Sequence, residues 1–579
     1  TAQQSATRTP YIRLNFVSRD GATTRTYTTA DSPNRILRVI QAEGRTDGAI
    51  QQAGAGAYSV VVQLNDSDLA IGALDFKGYR LDIGWGFNTT SGNRYSEGPP
   101  VIIFRHRRLS SEGKIILELY GLSLWDYLDK LLVNDVVQRP LEWKADTTIR
   151  HILMRMLAGN FFDAVIQEDA SPASFVDQTA NAKSITVDDV LLLPATPAVG
   201  DIAYFGSANR FNRISLDMKS TGIGGGYTVT WEYWNGTVWT ALAGVVDDTT
   251  GFQVTGLKII SFTHPGTVWV TNTVNAQGPF FYVRARVISI VVPIQPKATY
   301  ILSGLHQALA LDTSDALQGD DYQPDITTEY RSARKQLVES VLVNTLLGIK
   351  VRSDGFHLLY IDNAQATPDY TYDTAHAFYS DIQESDPVIP NKVIYIDKPP
   401  SSAGGELSGS DDNAASQASI GVIAGIYVEL GISAANATTQ AQRHIKRLVR
   451  DVNQGILVVP INVGQEVWDL ARIIDGRTGV TLDGRVSQLI RTYDAVKALY
   501  ILDIGMGGYN AIAMATPDWL LERDEALADR PIVSPIETRE TIAALEVFDI
   551  GTPIETRETI KALEVFEIGS FGPNVEVLQ

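Results

Sequence analysis

The chain reads as mainly β and multi-domain: two small β-barrels, an inserted β-sandwich, a small α+β segment and a C-terminal repeat extension. Three observations lead there. Short runs alternate apolar and polar residues between Gly, Asn and Asp punctuation. The texture changes between about 160 and 305, where charges thin out and Thr, Val and Gly rise. Near the end, an 18-residue unit occurs twice in near-identical form. Length agrees, since 579 residues at roughly 150 per domain give about four domains.

The first barrel, with short helices, is expected over 1–158. Tyr58, Val60, Val62 and Leu64 alternate with Ser59, Val61 and Gln63 before an Asn65-Asp66-Ser67 turn. Residues 78–85 and 114–120 alternate likewise. Gly84 and Gly86 inside such a run suggest the bends or bulges that closing a barrel requires. Ser123 is placed to cap a short helix through Leu131, and a second helix is expected over Thr148–Leu157, stopped by Gly159.

Residues 159–305 are expected to form an independent β-sandwich. Tyr227, Val229, Trp231 and Tyr233 alternate with Thr228, Thr230, Glu232 and Trp234, and Asn235-Gly236 is a strong hairpin signal. The α+β segment, 306–385, carries a helix over Ser332–Leu347 and a hairpin turning at Ser353-Asp354-Gly355. The second barrel, 386–515, includes a long loop at 399–418 expected to be mobile, a helix over Thr438–Arg450, and strands near 456–459, 468–474 and 485–490. In the extension, 516–579, Ser534-Pro535-Ile536-Glu537 and Thr552-Pro553-Ile554-Glu555 each pair a cap with proline and a Glu three residues on. Two units are too few for a self-supporting solenoid. They read either as docking peptides for a symmetric partner, through Pro535, Ile536, Phe548, Pro553, Ile554 and Phe566, or as a plain terminal extension.

Charge and composition exclude several classes. The 48 Lys+Arg less 67 Asp+Glu give −19, which opposes general affinity for DNA; it suits a surface that DNA passes without sticking, though plain solubility is the simpler reading. No apolar run reaches the ~18 residues of a membrane helix, so no membrane segment is expected. Thr1–Tyr11 lacks the layout of a signal peptide. With no cysteine, disulfides, thiolate metal sites and cysteine nucleophiles are out.

No catalytic constellation emerges, and neither a cofactor nor a metal is expected. The seven histidines (106, 151, 264, 306, 357, 376 and 444) form no metal-binding pair, and no Gly-x-Ser-x-Gly elbow occurs. Gly222–Gly226 lacks the Lys-Ser/Thr ending of a phosphate loop and reads as a turn. Asp312, Asp315, Asp320, Asp321 and Asp325 miss EF-hand spacing, and a solvated acidic loop is the simpler reading. Trp234, Trp239, Tyr233 and Trp269 have two readings: rings that stack on sugar, or a sandwich core. Alternation puts Trp231 and Tyr233 on one face and Trp234 on the other. Arg443, Lys446, Arg447 and Arg450 form a basic stripe, either solvated or facing an acidic neighbouring subunit.

The order of pieces resembles the baseplate hub, or tail-tip hub, proteins of tailed bacteriophages. Residues 78–84, 102–104 and 115–121, followed by Leu122-Ser123-Leu124-Trp125-Asp126-Tyr127-Leu128, look like that family's first barrel. The helix at Arg334–Val338, the hairpin at Ile349–Ile361 and the strand at Pro390–Tyr395 resemble the family's later elements in the same order, and 442–450, 456–460 and 484–486 resemble its closing segment. The motif Trp231-Glu232-Tyr233-Trp234-Asn235-Gly236 with Trp239 is similar to carbohydrate-binding-like sandwiches added to phage tail proteins. The resemblance implies a homotrimer whose barrels form a pseudo-sixfold ring in the virion tail. The ring joins the tail tube or distal tail protein to the spike or other baseplate proteins, and passes DNA and the tape-measure protein without specific binding. It also implies a host-surface glycan as a ligand for the insert. The long insert and terminal repeats depart from the family pattern. The alternative is a secreted glycan-binding protein or glycosidase in which the sandwich is the functional module.

Overall fold

Alternation builds the N-terminal lobe. In this computed structural model the described residues are 9–19, 23–45, 59–111, 113–128, 142–143, 149–184, 186–218, 226–305, 307–311, 326–327, 334–342, 345–361, 365–376, 378–385, 387–396, 408–428 and 434–507. Eight strands form the lobe: β1 (Pro10–Val17), β2 (Thr24–Thr28), β3 (Ile36–Gly44), β4 (Val60–Asn65), β5 (Arg80–Thr89), β6 (Gly92–Glu97), β7 (Val101–Ser111) and β8 (Lys114–Ser123). They pair antiparallel in the order β2-β1-β5-β7-β8-β4-β3, with β6 beside β5. Every second residue of β1 (Ile12, Leu14, Phe16) and of β4 (Val60, Val62, Leu64) is buried, as a sheet with one wet face requires. Ser123 ends β8 and caps the one-turn helix Leu124–Tyr127, its Oγ accepting from the Asp126 amide at 3.0 Å.

The glycines of β5 have another role than the expected bulge. β1 and β5 pair without a register shift. A Cβ on Gly86 would lie 1.9 Å from the Arg94 carbonyl oxygen, and one on Gly84 2.7 Å from the Tyr95 ring. Close approach of β6 therefore selects glycine here.

The insert is a two-sheet sandwich. A seven-stranded sheet runs Ala173–Asp177, Ala164–Ala170, Ile202–Ser207, Gln277–Ser289, Thr228–Trp234, Trp239–Ala241, with Asn272–Val274 beside Gln277–Ser289. The facing five-stranded sheet runs Asn160–Phe161, Ile301–Gly304, Arg213–Met218, Gly256–Ser261, Val246–Asp247. Phe205, Phe211, Trp231, Phe262, Trp269 and Val283 fill the space between. The Asn235-Gly236 hairpin forms, with Asn235 Oδ1 accepting from the amides of Thr237 and Val238.

This sandwich is not independent of the rest. Leu257 and Leu302 of its five-stranded sheet, with Tyr300 just before the strand Ile301–Gly304, join a core shared with the helices Ile149–Leu157 and Arg334–Leu342 and the hairpin Leu347–Arg352/Gly355–Tyr360. The second of those helices ends five residues before the expected Leu347. The Leu342 carbonyl accepts from both the amide and the hydroxyl of Thr345 and from Arg447 Nη2, which stops the helix.

The C-terminal lobe contains Ser380–Ser385, Asn453–Pro460, Leu470–Asp475, Val480–Asp494 and Leu499–Met506. Its relation to the first lobe differs from two separate barrels. β3 pairs antiparallel with Val480–Asp494, from Arg38 opposite Asp494 to Gly44 opposite Gln488. One 14-stranded sheet results, and Leu14, Val62, Trp85, Val459, Leu489 and Ile504 belong to a single core. Among the described residues no ladder closes either lobe on itself. The edge of β3 that closure would use is satisfied by the other lobe.

Two other expectations for 386–515 change. Lys392–Ile396 does not join the large sheet. It is the centre of a three-stranded sheet between Ser408–Asp412 (antiparallel) and Ala424–Val428 (parallel), with Val393 packed on Ala441 and Ile445 of the helix Ala434–Asp451. Part of the expected loop 399–418 is regular: Ser408–Asp412 is a strand, and Asn413 caps the helix Ala414–Ile420.

Candidate functional site

The chemistry-bearing side chains gather where the two lobes meet. Arg45, at the end of β3, is buried and donates to both carboxylate oxygens of Asp451 at 2.6 and 2.7 Å and to the Gly507 carbonyl at 3.2 Å. Its guanidinium carbon lies 5.4 Å from a ring centroid of Trp468, and that of Arg450 lies 5.0 Å from one. Trp468 is itself buried at φ +78°, with Nε1 donating to the Ile349 carbonyl at 3.0 Å. The ring occupies the space that a side chain at residue 348 would need, since a Cβ on Gly348 would sit 2.8 Å from it.

Beside this lies a cleft of about 90 Å³ lined by Glu43, Trp85, Trp125, Lys350, Arg352, Glu466 and Arg491 among others. Arg491 bridges Glu43 through Nη1 and the Gln465 carbonyl through Nη2 at 2.6 Å. Burial raises the Glu43 carboxyl, against the pull of Arg491. Glu466 accepts from Lys350 Nζ and from Arg352 Nε and Nη2, each at 2.8 Å. Burial alone would raise its carboxyl, but these cations hold it at about 2. Asp469 accepts from Gln465 Nε2 and the Glu466 amide, both at 2.8 Å, and burial lifts it to about 6. Tyr500 completes the seam, its hydroxyl accepting from the Gly86 amide at 3.0 Å and donating to the Gly86 carbonyl at 2.7 Å. The carboxylates of this cleft are committed to cations or backbone amides, so the arrangement locks segments together.

The tryptophan group divides. Trp269 is completely buried in the sandwich core, with Nε1 donating to the Tyr282 carbonyl at 3.1 Å. It has no face to offer a sugar, which corrects the expectation that it joins a platform. Tyr233 is half-buried on the core side, 6.5 Å from Trp269. Trp234 and Trp239 lie on the opposite face, half-buried and opposite each other across the hairpin, with ring centroids 5.5 Å apart. Arg284 covers Trp239 at 4.2 Å and donates to Glu232, which also accepts from Arg286. Burial would raise the Glu232 carboxyl, but the two arginines hold it below its ordinary value.

The basic stripe also divides. Arg447 and Arg450 are buried, the first on the Leu342 carbonyl and the second against Trp468, so they do not face a neighbouring subunit. Arg443 is half-buried and Lys446 exposed. Of the expected histidines, His376 is buried between the Tyr370 hydroxyl (2.6 Å) and the Pro460 carbonyl (3.0 Å). The acidic group Asp312–Asp325, Gly222–Gly225, His306 and the repeat residues Pro535, Ile536, Phe548, Pro553, Ile554 and Phe566 lie outside the described residues. Among the described residues no group of three His, Asp or Glu is placed to hold a metal, and no helix is long and apolar enough to cross a membrane.

Sequence reasoning missed Arg45, Trp468, Arg491 and Glu466. Their partners lie as far as 448 residues away in the chain, and no local pattern marks such pairs.

Neither a family model nor a curated protein matches the chain. Solved structures similar to it include bacterial tail proteins, two of them from prophages. The 43 kDa tail protein of prophage MuSo2 from Shewanella oneidensis shares 9% identity at a TM-score of 0.39, over 88% of this chain and 100% of that one. A tail protein from Neisseria meningitidis MC58 shares 10% at 0.38, over 86% and 96%. Prophage tail protein gp18 from Listeria monocytogenes EGD-e shares 6% at 0.39, over 90% and 99%.

Proposed function

We propose that this chain is a structural, non-catalytic component of a phage tail tip or baseplate, the hub that joins the tail tube to the tip. The observation that carries this reading is the seam. The N-terminal and C-terminal lobes share one sheet and one core, and buried arginines staple them, so the chain is a frame whose lobes cannot hinge apart without breaking a ladder. Enzymes that close on substrate need the opposite, a weak boundary between lobes. Segments on which the hub resemblance rests support it too: 80–84, 102–104 and 115–121 lie in strands of the first lobe, and 456–460 and 484–486 in strands of the second.

In this reading the frame assembles as a homotrimer around an axial conduit. Its neighbours are the tail tube or distal tail protein, the tape-measure protein, and a spike or other baseplate protein. A charge of −19 keeps passing DNA from sticking to the wall. The C-terminal repeats dock on one of these partners, and truncation before Ser534 abolishes that binding while leaving the fold intact. Trp234 and Trp239, the outward-facing pair, are the residues on which a host-surface glycan would stack. Retention of the chain on a polysaccharide column, lost in Trp234→Ala, tests that role.

Immunogold electron microscopy of particles from the native source, with antibody against this chain, tests the main reading. Label at the distal end of tails is the expected result. Label on cell envelopes without particles overturns it in favour of a secreted glycan-binding protein.

A further inference from the structure

The outer face of the insert's seven-stranded sheet carries more than two tryptophans. Register sets three rows of side chains on it. Trp239 and Trp234 oppose each other in the first, and Glu232, Arg284 and Tyr204 stand side by side in the second. Arg286, Ile202 and Glu168 form the third. Trp239 leans out of its own row toward the second. Its ring lies 4.2 Å from the Arg284 guanidinium carbon and 5.5 Å from the Tyr204 ring. Trp234 stands against it, with 61° between the ring planes. Arg284 occupies one face of Trp239, so the exposure that this indole keeps belongs to its other face and its edge. The two rings form a corner, with Trp239 as floor and Trp234 as wall.

The charges beside this corner cancel, Glu232 and Glu168 standing against Arg284 and Arg286. Glu232 accepts from Arg284 Nε at 2.7 Å and from Arg286 Nη2 at 2.8 Å, and its side chain is only 8% exposed. Glu168 Oε2 accepts from the Tyr204 hydroxyl at 2.5 Å. The groups left over are one donor and one acceptor in the same row. Arg286, whose side chain is 35% exposed, keeps Nη1, and Glu168 keeps Oε1; neither atom is hydrogen-bonded among the described residues.

That inventory selects a ligand. A carboxylate or phosphate only accepts, so it would meet the free Glu168 oxygen as a like charge and compete with Glu232 for Arg286. The chain's net charge of −19 adds to the repulsion. A hydroxyl both donates and accepts, and so suits a donor and an acceptor set in one row. The C–H face of a sugar ring supplies the apolar surface that an indole floor takes. The first and third rows lie four residues apart along the strands, about 13 Å, which is longer than one ring. We propose that the insert binds a neutral oligosaccharide, one ring packed in the Trp239–Trp234 corner and hydroxyls of a following ring bonded to Arg286 and Glu168. The inference rests on the glycan role given to the insert above, and its own content is the class of glycan and the polar residues that read it.

An array of neutral hexose oligosaccharides, sialylated oligosaccharides and uronate oligosaccharides, probed with the full chain, tests it. Neutral sugars should be retained, longer chains more tightly than single rings, and equally at low and high salt. Trp234→Ala and Arg286→Gln should each weaken retention by ~10-fold or more with unchanged circular dichroism. Neither change empties the core, and Glu232 keeps Arg284 in the second variant. Retention confined to sialylated or uronate sugars, or retention that falls as salt rises, overturns the neutral class and leaves the glycan role standing. Neutral sugars retained equally by wild type and both variants overturn this site. No retention of any class removes the glycan role itself and this inference with it, while the tail-tip reading stands or falls on the immunogold label.

Discussion

Replacing Arg45 with methionine tests whether the two lobes are one mechanical body. Methionine keeps much of the stem's packing on Trp468 and deletes the charge. The Arg45 side chain is 1% exposed and that of Asp451 21%, so the pair is buried mainly on the arginine side. Breaking a buried pair typically costs ~3–5 kcal/mol by stranding the partner. Here Asp451 keeps some water, and Arg450 Nε remains 3.5 Å away, so about half of that cost applies. The Gly507 carbonyl loses a hydrogen bond (~1 kcal/mol) and the stacking on Trp468 goes (~0.5–1 kcal/mol). Relief of the arginine's desolvation offsets part of the loss. The net is a destabilisation of about 2–3 kcal/mol, or a few degrees in Tm for a unit of this size. The assay is urea unfolding followed by tryptophan fluorescence and by amide exchange on β1 and on Leu499–Met506. Both strands should lose protection together, at a lower midpoint than in the wild type. Equal midpoints for Arg45→Met and wild type, or separate loss of the two strands, would mean that the Arg45 pair does not hold the lobes together as one body.

Other expected outcomes come from the same geometry. Trp269→Ala should cost ~3–5 kcal/mol by opening a cavity in the sandwich core, whereas Trp234→Ala should stay within ~1 kcal/mol; thermal unfolding of the two variants checks the contrast. Gly86→Ala should lower stability by ~1–3 kcal/mol, because its methyl group meets the Arg94 carbonyl, and exchange should localise the damage to the β5–β6 hairpin. Glu466, held at about 2 against an ordinary 4.5, contributes stability that is present above pH 4.5 and lost as pH falls toward 2. With its side chain 36% exposed, screening reduces that contribution to the order of 1–2 kcal/mol, and Glu466→Gln should flatten the acid limb of the urea midpoint. Asp469 acts oppositely: lifted from 3.8 to about 6, its contribution is present below pH 3.8 and lost as pH rises through about 6. Asp469→Asn should therefore remove a downward slope in stability across that window.

Local chemistry was legible in the sequence and long-range pairing was not. The period-2 runs located β4, β5 and β8, and the Ser123 cap and the Asn235-Gly236 hairpin formed where their side chains can satisfy backbone groups. Alternation also separated Trp231 from Trp234. Trp269 follows a 3₁₀ turn at Gly266–Val268 and belongs to no period, so its burial left no local sign. The seam shows the limit most clearly. A strand pattern says which side chains face the core but not which strand lies alongside, so β3 against Val480–Asp494 was invisible. Basic spacing on the helix Ala434–Asp451 looked like a surface stripe, because an arginine buried on a helix-end carbonyl or an indole has the same one-dimensional signature as a solvated one.

A cryo-electron microscopy reconstruction of tail ends from particles of the native source, with the frame of residues 9–507 fitted to the density, decides whether this chain is the hub. Copies of this frame are expected in threefold symmetry around an axial channel, with both lobes of each copy contributing to the ring. Density that places the chain off the axis, as an appendage reached through the sandwich, or no density for it at the tail end, would exclude the hub.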